Sequence, residues 1–188
     1  MGTTYRHGRI LSYLDKLFID RDLNNELVSS REQVALVKNK GKLINVDALS
    51  PSQQMTVVRS MNELRITYPD FMVFKSNQCL MNENRTRFAG IPDLIVEVWS
   101  PFNSTAEREE KRELFINETS EFWEIEQNSI EILCWRADGT SYKQYLHLPV
   151  ITPWGEELNL TPLSRDVKDW EPNDIWHGGE DFGKDIEI

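Results

Sequence analysis

Three stretches of the chain have the residue patterns of helices. In Arg6–Ile19, apolar side chains recur every three or four residues, which is the spacing of a helix with one buried face. Ser50 followed by Pro51 is typical of a helix start and leads into Gln53–Leu64, although the β-branched residues there also suit a strand. Ser104–Glu118 is strongly charged, with its apolar residues near the end. The pattern predicts a helix in each stretch.

Strand-forming residues occupy most of the chain between and after these helices. Pro92–Trp99 is almost entirely apolar, as in a strand that is covered on both faces. Glu26–Val46 is ambiguous, since it combines strand-forming residues with a helix-capping pattern. Asp138–Gly139 is typical of a hairpin turn. The other predicted strands are Arg65–Phe74, Glu121–Ile125, Ile130–Arg136 and Tyr142–Leu148. Helices and strands together indicate an α/β domain.

Two carboxylates inside the apolar strand Pro92–Trp99 are the main anomaly of the sequence. A charged group in a strand covered on both faces is costly unless it is paired or bound to a metal ion. Side chains alternate along a strand, so Asp93 and Glu97 share one face, but they lie about 13 Å apart, too far to hold one small cation. Glu97 therefore needs a partner from elsewhere. If the strand candidate Arg65–Phe74 pairs with it antiparallel, Asp70 lies beside Glu97.

The order of these residues along the chain resembles a known group of nucleases. Pro69–Asp70 followed by Glu97 is similar to the PD-(D/E)XK nuclease superfamily, and Gly90–Pro101 resembles one branch of it, the Uma-type restriction endonucleases. The similarity covers about Tyr68–Leu148 and continues, in order, through Glu107, Lys111, Phe115 and Glu121–Phe122–Trp123.

This resemblance implies a restriction-endonuclease-like core, in which helices flank a mixed central sheet. It implies that Asp70 and Glu97 bind Mg²⁺, with Mn²⁺ as an alternative ion, and that Asp93 is a further ligand or supports the first two. The superfamily places a lysine two residues after the acidic residue, but Trp99 stands there in this chain. The Uma-type branch has its lysine on the next helix, where Lys111 stands.

These residue types suit the hydrolysis of a phosphodiester. A hard divalent cation neutralises the phosphate and lowers the pKa of its bound water, and carboxylates are its preferred ligands. A nearby lysine can orient that water and stabilise the charge that develops. The implied function is a Mg²⁺-dependent endonuclease acting on DNA, with Glu107 as a supporting residue of the site. The chain departs from the family in having Glu107 instead of the usual aspartate, Phe115 instead of tyrosine, and Glu118–Thr119 instead of Gly-Val.

Charge is the main objection to a nucleic-acid substrate. The net charge of the 188 residues is −10, whereas phosphate binding favours a basic surface. Residues 166–188 hold eight acidic and two basic residues, so the first 165 residues have a net charge of −4. We therefore expect one domain, 1–165, followed by an acidic C-terminal tail, 166–188. Candidate contacts to the DNA backbone are Arg85, Arg87, Arg108, Arg112 and the lysines at 38, 40 and 42.

Other features bear on compartment and assembly. No apolar run approaches the roughly 20 residues of a membrane span, and the N-terminal segment lacks a signal-peptide pattern. Cys79 and Cys134 lack a metal-binding spacing, and two free thiols fit a cytoplasmic protein better than the alternative of a disulfide. We expect a cytoplasmic protein with no membrane partner. Nucleases that cut both strands often act as two-fold dimers, so we also expect a homodimer.

Each candidate residue also has a structural interpretation. Asp70 can end a turn, Asp93 can cap its strand by accepting backbone N–H bonds, and Glu97 can pair with an arginine. Lys111 can form a surface pair with Glu107. The alternative functions are a catalytically inactive nuclease fold that binds DNA or protein, which the acidic charge favours, and a hydrolase for another phosphoester. The histidines at 7, 147 and 177 are interpreted as surface or packing residues, and the tryptophans as core.

Overall fold

The computed structural model describes residues 5–21, 27–30, 36–39, 42–46, 49–59, 66–75, 90–116 and 118–168. The described helices are α1 (Tyr5–Arg21), α2 (Pro51–Arg59), α3 (Thr105–Phe115) and α4 (Thr161–Lys168). The described strands are β1 (Leu27–Ser30), β2 (Leu36–Asn39), β3 (Lys42–Asn45), β4 (Ile66–Thr67), β5 (Phe71–Lys75), β6 (Leu94–Trp99), β7 (Glu121–Glu126), β8 (Glu131–Arg136), β9 (Ser141–Tyr145), β10 (Pro149–Ile151) and β11 (Glu157–Asn159). None of these helices is long and apolar enough to cross a membrane.

A six-stranded mixed sheet forms the centre of the fold, in the order β1-β5-β6-β7-β8-β9. β6 and β7 pair in parallel, and the other neighbouring strands of this sheet pair antiparallel. Parallel neighbours need a crossover connection, and α3 lies in the connection between β6 and β7. Two smaller antiparallel sheets have the orders β3-β2-β4 and β10-β11.

The central strand β6 is covered on both faces, since all six of its residues are buried. Leu94, Val96 and Val98 belong to the hydrophobic core that also contains the buried face of α1. Ile95 and Trp99 belong to a second core, together with Phe115 of α3. Glu97 is two positions from each of these residues, so it shares their face of the sheet, which α3 covers.

The α/β class and most predicted elements are confirmed. The predicted helix after Ser50 is confirmed as α2 up to Arg59, and its remaining residues, 60–64, lie outside the described part of the chain. The ambiguous 26–46 contains β1, β2 and β3. The Asp138–Gly139 turn joins β8 to β9, and Gly139 adopts the left-handed φ of 81° that such a turn requires. α4 runs to Lys168, three residues past the boundary expected between domain and tail. Residues 169–188 lie outside the described part of the chain.

The prediction of one strand over Arg65–Phe74 is wrong. The segment forms the two strands β4 and β5, which are separated by Tyr68, Pro69 and Asp70. Proline has no N–H for a ladder hydrogen bond, so strand pairing is interrupted there. Asp70 therefore lies in a bend immediately before β5, and not at the centre of a strand. The predicted antiparallel pairing with the strand of Glu97 is confirmed, because β5 pairs with β6.

Candidate active site

The pairing of β5 with β6 places Asp70 beside Glu97. In this antiparallel ladder Phe71 is opposite Val96, so the residue before Phe71 stands next to the residue after Val96. The backbone N–H of Val98 also donates to Asp70 Oδ2 at 2.8 Å, which holds this carboxylate against β6. Two side chains that are far apart in the sequence are thus neighbours at the end of the strand pair.

Lys111 reaches Glu97 from α3. Its Nζ lies 2.7 Å from Glu97 Oε2 and 5.4 Å from the centre of the Trp99 ring. Ser104 caps the helix by accepting the N–H of Glu107 at 3.1 Å, which starts the helix about two turns before Lys111. The structure therefore does not show the alternative ion pairs that the sequence suggested for Lys111 and Glu97. Lys111 pairs with Glu97 and not with Glu107, and the partner of Glu97 is a lysine and not an arginine.

Glu97 has an oxygen without a donor. The residue is 1% exposed, and its Oε1 has no hydrogen-bond partner in the described part of the chain. Leaving a buried polar atom unsatisfied costs about 1–3 kcal/mol, and more for a charged group. Such an atom calls for an explanation, and a bound ion is one of the few available. The neighbouring Asp70 carboxylate makes a cation the fitting ion.

The surroundings of the two carboxyl groups push their pKa values apart. Burial raises the pKa of Glu97 well above its usual range, the Asp70 carboxylate raises it further, and Lys111 opposes both. Burial also acts to raise the pKa of Asp70, but hydrogen bonds from His7 and Val98 and the nearby positive charges outweigh it, so this pKa is lowered. Asp70 is the ionised member of the pair, and Glu97 is the member that retains a proton to higher pH.

His7 is a member of the site that the sequence interpretation missed. It lies near the start of α1, is 7% exposed, and places Nε2 3.1 Å from Asp70 Oδ2. A signal was present, because His7 precedes Ile10, Leu11 and Leu14 by three, four and seven positions and so shares their buried face. A polar residue on the apolar face of a helix needs a partner, but the sequence does not show that the partner is Asp70.

Asp93 lies at the opposite end of β6, where it contacts Lys75. Its Oδ2 accepts the backbone N–H of Lys75 at 3.0 Å, and its Oδ1 lies 3.7 Å from Lys75 Nζ. Asp93 therefore accepts a backbone N–H bond at the start of its strand, as its structural interpretation predicted. Within the described segments, no three His, Cys, Asp or Glu side chains cluster in a way that could hold a metal ion. The structure therefore does not bring Asp93 to Asp70 and Glu97 as a third ligand.

The candidate DNA-contacting arginines on α3 are engaged within the protein. Arg108 Nη1 lies 2.6 Å from Glu126 Oε1, and Arg112 Nε lies 2.9 Å from Glu124 Oε1. Their side chains are only 20% and 24% exposed. These two charges are thus neutralised by neighbouring carboxylates and do not form a free basic surface. Lys40, Arg85 and Arg87 lie outside the described residues, as do the side chains of Lys38 and Lys42.

Two acidic residues near the site have structural contacts. Glu107 accepts a hydrogen bond from Asn103 Nδ2 at 3.1 Å, which reinforces the start of α3. Glu124, which the sequence interpretation did not single out, accepts hydrogen bonds from the indole N–H groups of Trp99 at 2.8 Å and Trp135 at 2.6 Å, in addition to its ion pair with Arg112. Glu124 therefore ties α3 to the sheet and stabilises the helix that presents Lys111.

The donor set fits a hard cation that is held by few protein ligands. Both candidate ligands are carboxylates, the groups that Mg²⁺ and Mn²⁺ prefer. Mg²⁺ is commonly bound through one or two carboxylates together with waters and substrate phosphates. Glu97 Oε1, which is buried and has no donor within the described segments, is the atom that such an ion would satisfy. The site is thus suited to a cation that also contacts a phosphate.

Comparison with known proteins supports a nuclease fold. The model of the Uma2 family, described as "Putative restriction endonuclease", matches residues 3–168. The chain is also similar to the crystal structure of "a putative nuclease belonging to DUF820 from Anabaena variabilis ATCC 29413". That similarity has 15% identity and a TM-score of 0.62, and it covers 89% of this chain and 84% of the other. No curated protein matches the chain. Both matches agree with the resemblance seen in the sequence.

Proposed function

The chain belongs to the Uma2 family of restriction-endonuclease-like proteins, and from this membership and the arrangement of Asp70, Glu97 and Lys111 we propose that it is a metal-dependent endonuclease that hydrolyses DNA. The observation that supports the proposal most directly is the buried Glu97–Lys111 ion pair next to a second carboxylate. A buried charge cluster of this kind is expensive to maintain and is typical of active sites.

The proposed roles follow from the contacts of each side chain. Asp70 and Glu97 would hold the cation, for which Mg²⁺ is proposed and Mn²⁺ is an alternative. When bound, the cation would supply charge neutralisation at the phosphate and lower the pKa of a bound water. Lys111 has three N–H donors, one of which is directed to Glu97 Oε2. The other two can orient the attacking water and stabilise the charge that develops on the phosphate.

The test compares two glutamate variants of the full chain. Glu97→Ala should abolish Mg²⁺- or Mn²⁺-dependent nicking of plasmid DNA, whereas Glu109→Ala, on the exposed face of the same helix that presents Lys111, should cleave like the wild type. Circular dichroism and thermal denaturation would show that both variants are folded. Cleavage at the wild-type rate by folded Glu97→Ala would overturn the proposal.

A second candidate function is a non-catalytic module of the same fold that binds DNA or protein. The observation that favours it is the acidic balance of the chain, −10 overall, together with the internal pairing of Arg108 and Arg112. A Mn²⁺ titration followed by thermal denaturation separates the two functions. A rise in Tm that depends on Asp70 and Glu97 supports the enzyme, and no shift supports the module.

A further inference from the structure

His7 links a different element to the candidate metal site. α1 packs on the central sheet through Ile10, Leu14 and Phe18, all of them buried in the core. His7 lies one turn before Ile10 and makes the contact with Asp70 that none of these apolar side chains can make. The apolar side chains pack α1 on the sheet, and His7 adds a polar contact between this helix and the candidate site.

Two contacts of Asp70, from different elements of the fold, fall on the same oxygen. The Val98 N–H donates to Oδ2 at 2.8 Å, and His7 Nε2 lies 3.1 Å from the same atom. A carboxylate oxygen has two lone pairs, so these two donors account for the hydrogen-bonding capacity of Oδ2. Glu97 shows the same division, since Lys111 binds Oε2 and Oε1 has no donor among the described residues. In each carboxylate one oxygen is held by the protein.

We infer that His7 is a positioning residue: with the Val98 N–H, it holds Asp70 by Oδ2 and leaves Oδ1 for the proposed cation. The inference rests on the proposed metal site. His7 acts through Asp70, because its Nε2 is directed to the carboxylate. An Nε2–H is present both in one neutral tautomer and in the imidazolium form, so the hydrogen bond requires no particular charge state. Groups that orient a metal ligand typically change metal affinity about 10–100-fold when they are removed.

The experiment measures Mn²⁺ affinity without DNA, by counting free Mn²⁺ with electron paramagnetic resonance. His7→Leu keeps apolar bulk but has no donor, so its Mn²⁺ dissociation constant should rise about 10–100-fold. His7→Gln places an amide N–H near the position of Nε2 and should stay close to the wild type. His7→Asn has the same amide on a shorter side chain, cannot reach Asp70, and should bind as weakly as His7→Leu. Lys16→Gln, on the exposed face of α1, is the control.

Each outcome has one interpretation. Weak Mn²⁺ binding by His7→Leu and His7→Asn, restored by His7→Gln, supports positioning. If the role of His7 were purely structural, Mn²⁺ affinity would fall together with Tm and would not depend on whether the amide reaches Asp70. If His7→Leu does not fold, the comparison of His7→Asn with His7→Gln decides. Equal Mn²⁺ affinity in His7→Asn, His7→Gln and the wild type overturns the inference and leaves the metal site standing. No Mn²⁺ binding by the wild type overturns the metal site itself.

Discussion

Glu97 and Glu124 are paired residues of the parallel strands β6 and β7, yet their carboxylates differ in how fully hydrogen-bond donors satisfy them. Both are buried, at 1% and 5% exposure. Glu124 accepts hydrogen bonds from two indole N–H groups and from Arg112, which satisfy both of its oxygens. Glu97 is bound by one amine, and its other oxygen has no donor among the residues that the structure describes. Adjacent positions of one sheet thus hold a satisfied structural carboxylate and an unsatisfied one that is available for chemistry.

Replacing Glu124 should therefore destabilise the fold. Glu124→Ala leaves the indole N–H groups of Trp99 and Trp135 and the Arg112 guanidinium without their acceptor. Removing one partner of a buried charge network costs about 3–5 kcal/mol. Urea unfolding of the variant should show a loss of this size in the free energy of unfolding.

The matched control for Glu124 is an exposed glutamate on the neighbouring strand. Glu131 pairs with Lys143 at 2.6 Å, but the side chains are 41% and 54% exposed, so Glu131→Ala should change the unfolding free energy little. Equal losses in the two variants would contradict the structural role given to Glu124.

The stability of Glu97→Gln relative to the wild type should depend on pH. The folded-state pKa of Glu97 is above its usual value of 4.5, so the folded wild type retains a proton that the unfolded chain loses. The stability that this proton provides is fully present below about pH 4.5 and is lost as the pH rises through the folded-state pKa. Urea unfolding in EDTA should show Glu97→Gln gaining stability relative to the wild type as the pH rises.

The contribution of Asp70 to stability should change with pH in the opposite direction. Its folded-state pKa lies below the usual 3.8, so its ionised form stabilises the fold above that pH, and this stabilisation is lost as the pH falls through the folded-state pKa. Asp70→Asn should therefore be less stable than the wild type near neutral pH, with the difference shrinking in acid. A pH-independent difference in both variants would show that the two pKa values are not separated in the way described.

Local patterns in the sequence were enough to predict most of the elements around the site. The segment Leu94–Trp99, which is apolar except for Glu97, identifies a strand that is buried on both faces, because only the covered centre of a sheet accepts so many apolar residues in succession. Ser104 before a charged segment identifies the start of α3. These features depend on neighbouring residues only, and a single sequence contains that information.

The side-chain partners were not predictable in the same way. His7 and Asp70 are 63 positions apart, and their contact depends on how α1 packs on the sheet. Arg108 and Arg112 look like free basic residues in the sequence, but the parallel crossover places them against acidic residues of β7. Such contacts arise from tertiary packing, which residue periodicity does not specify.

Cys134 should be unreactive in the folded protein. It is a free, fully buried cysteine on β8, and burial raises the pKa of its thiol to about 12. The thiolate is the reactive form, and almost none is present near neutral pH. In a Cys79→Ser background, a thiol reagent such as Ellman's reagent should label Cys134 only after denaturation. Rapid labelling of the native variant would contradict this burial.

Under the proposed function, Lys111→Met should lose cleavage while it retains the proposed metal site. Asp70 and Glu97 remain as ligands, and removing a positive charge 2.7 Å from Glu97 Oε2 reduces electrostatic repulsion of a cation there, so Mn²⁺ affinity should be equal or higher. Without the ammonium group of Lys111 to stabilise charge on the phosphate, kcat should fall about 10²–10³-fold. Plasmid nicking and Mn²⁺ binding measure the two effects separately.

The control for Lys111 is a lysine with an exposed ion pair. Lys143→Met breaks the contact with Glu131 on β8 and should leave both the nicking rate and the Mn²⁺ affinity unchanged. If Lys111→Met instead lost Mn²⁺ binding and kept its Tm, the ammonium group would be needed to keep Glu97 ionised for the cation. If it retained the wild-type kcat, Lys111 would have no role in the reaction, and its ion pair with Glu97 would be structural.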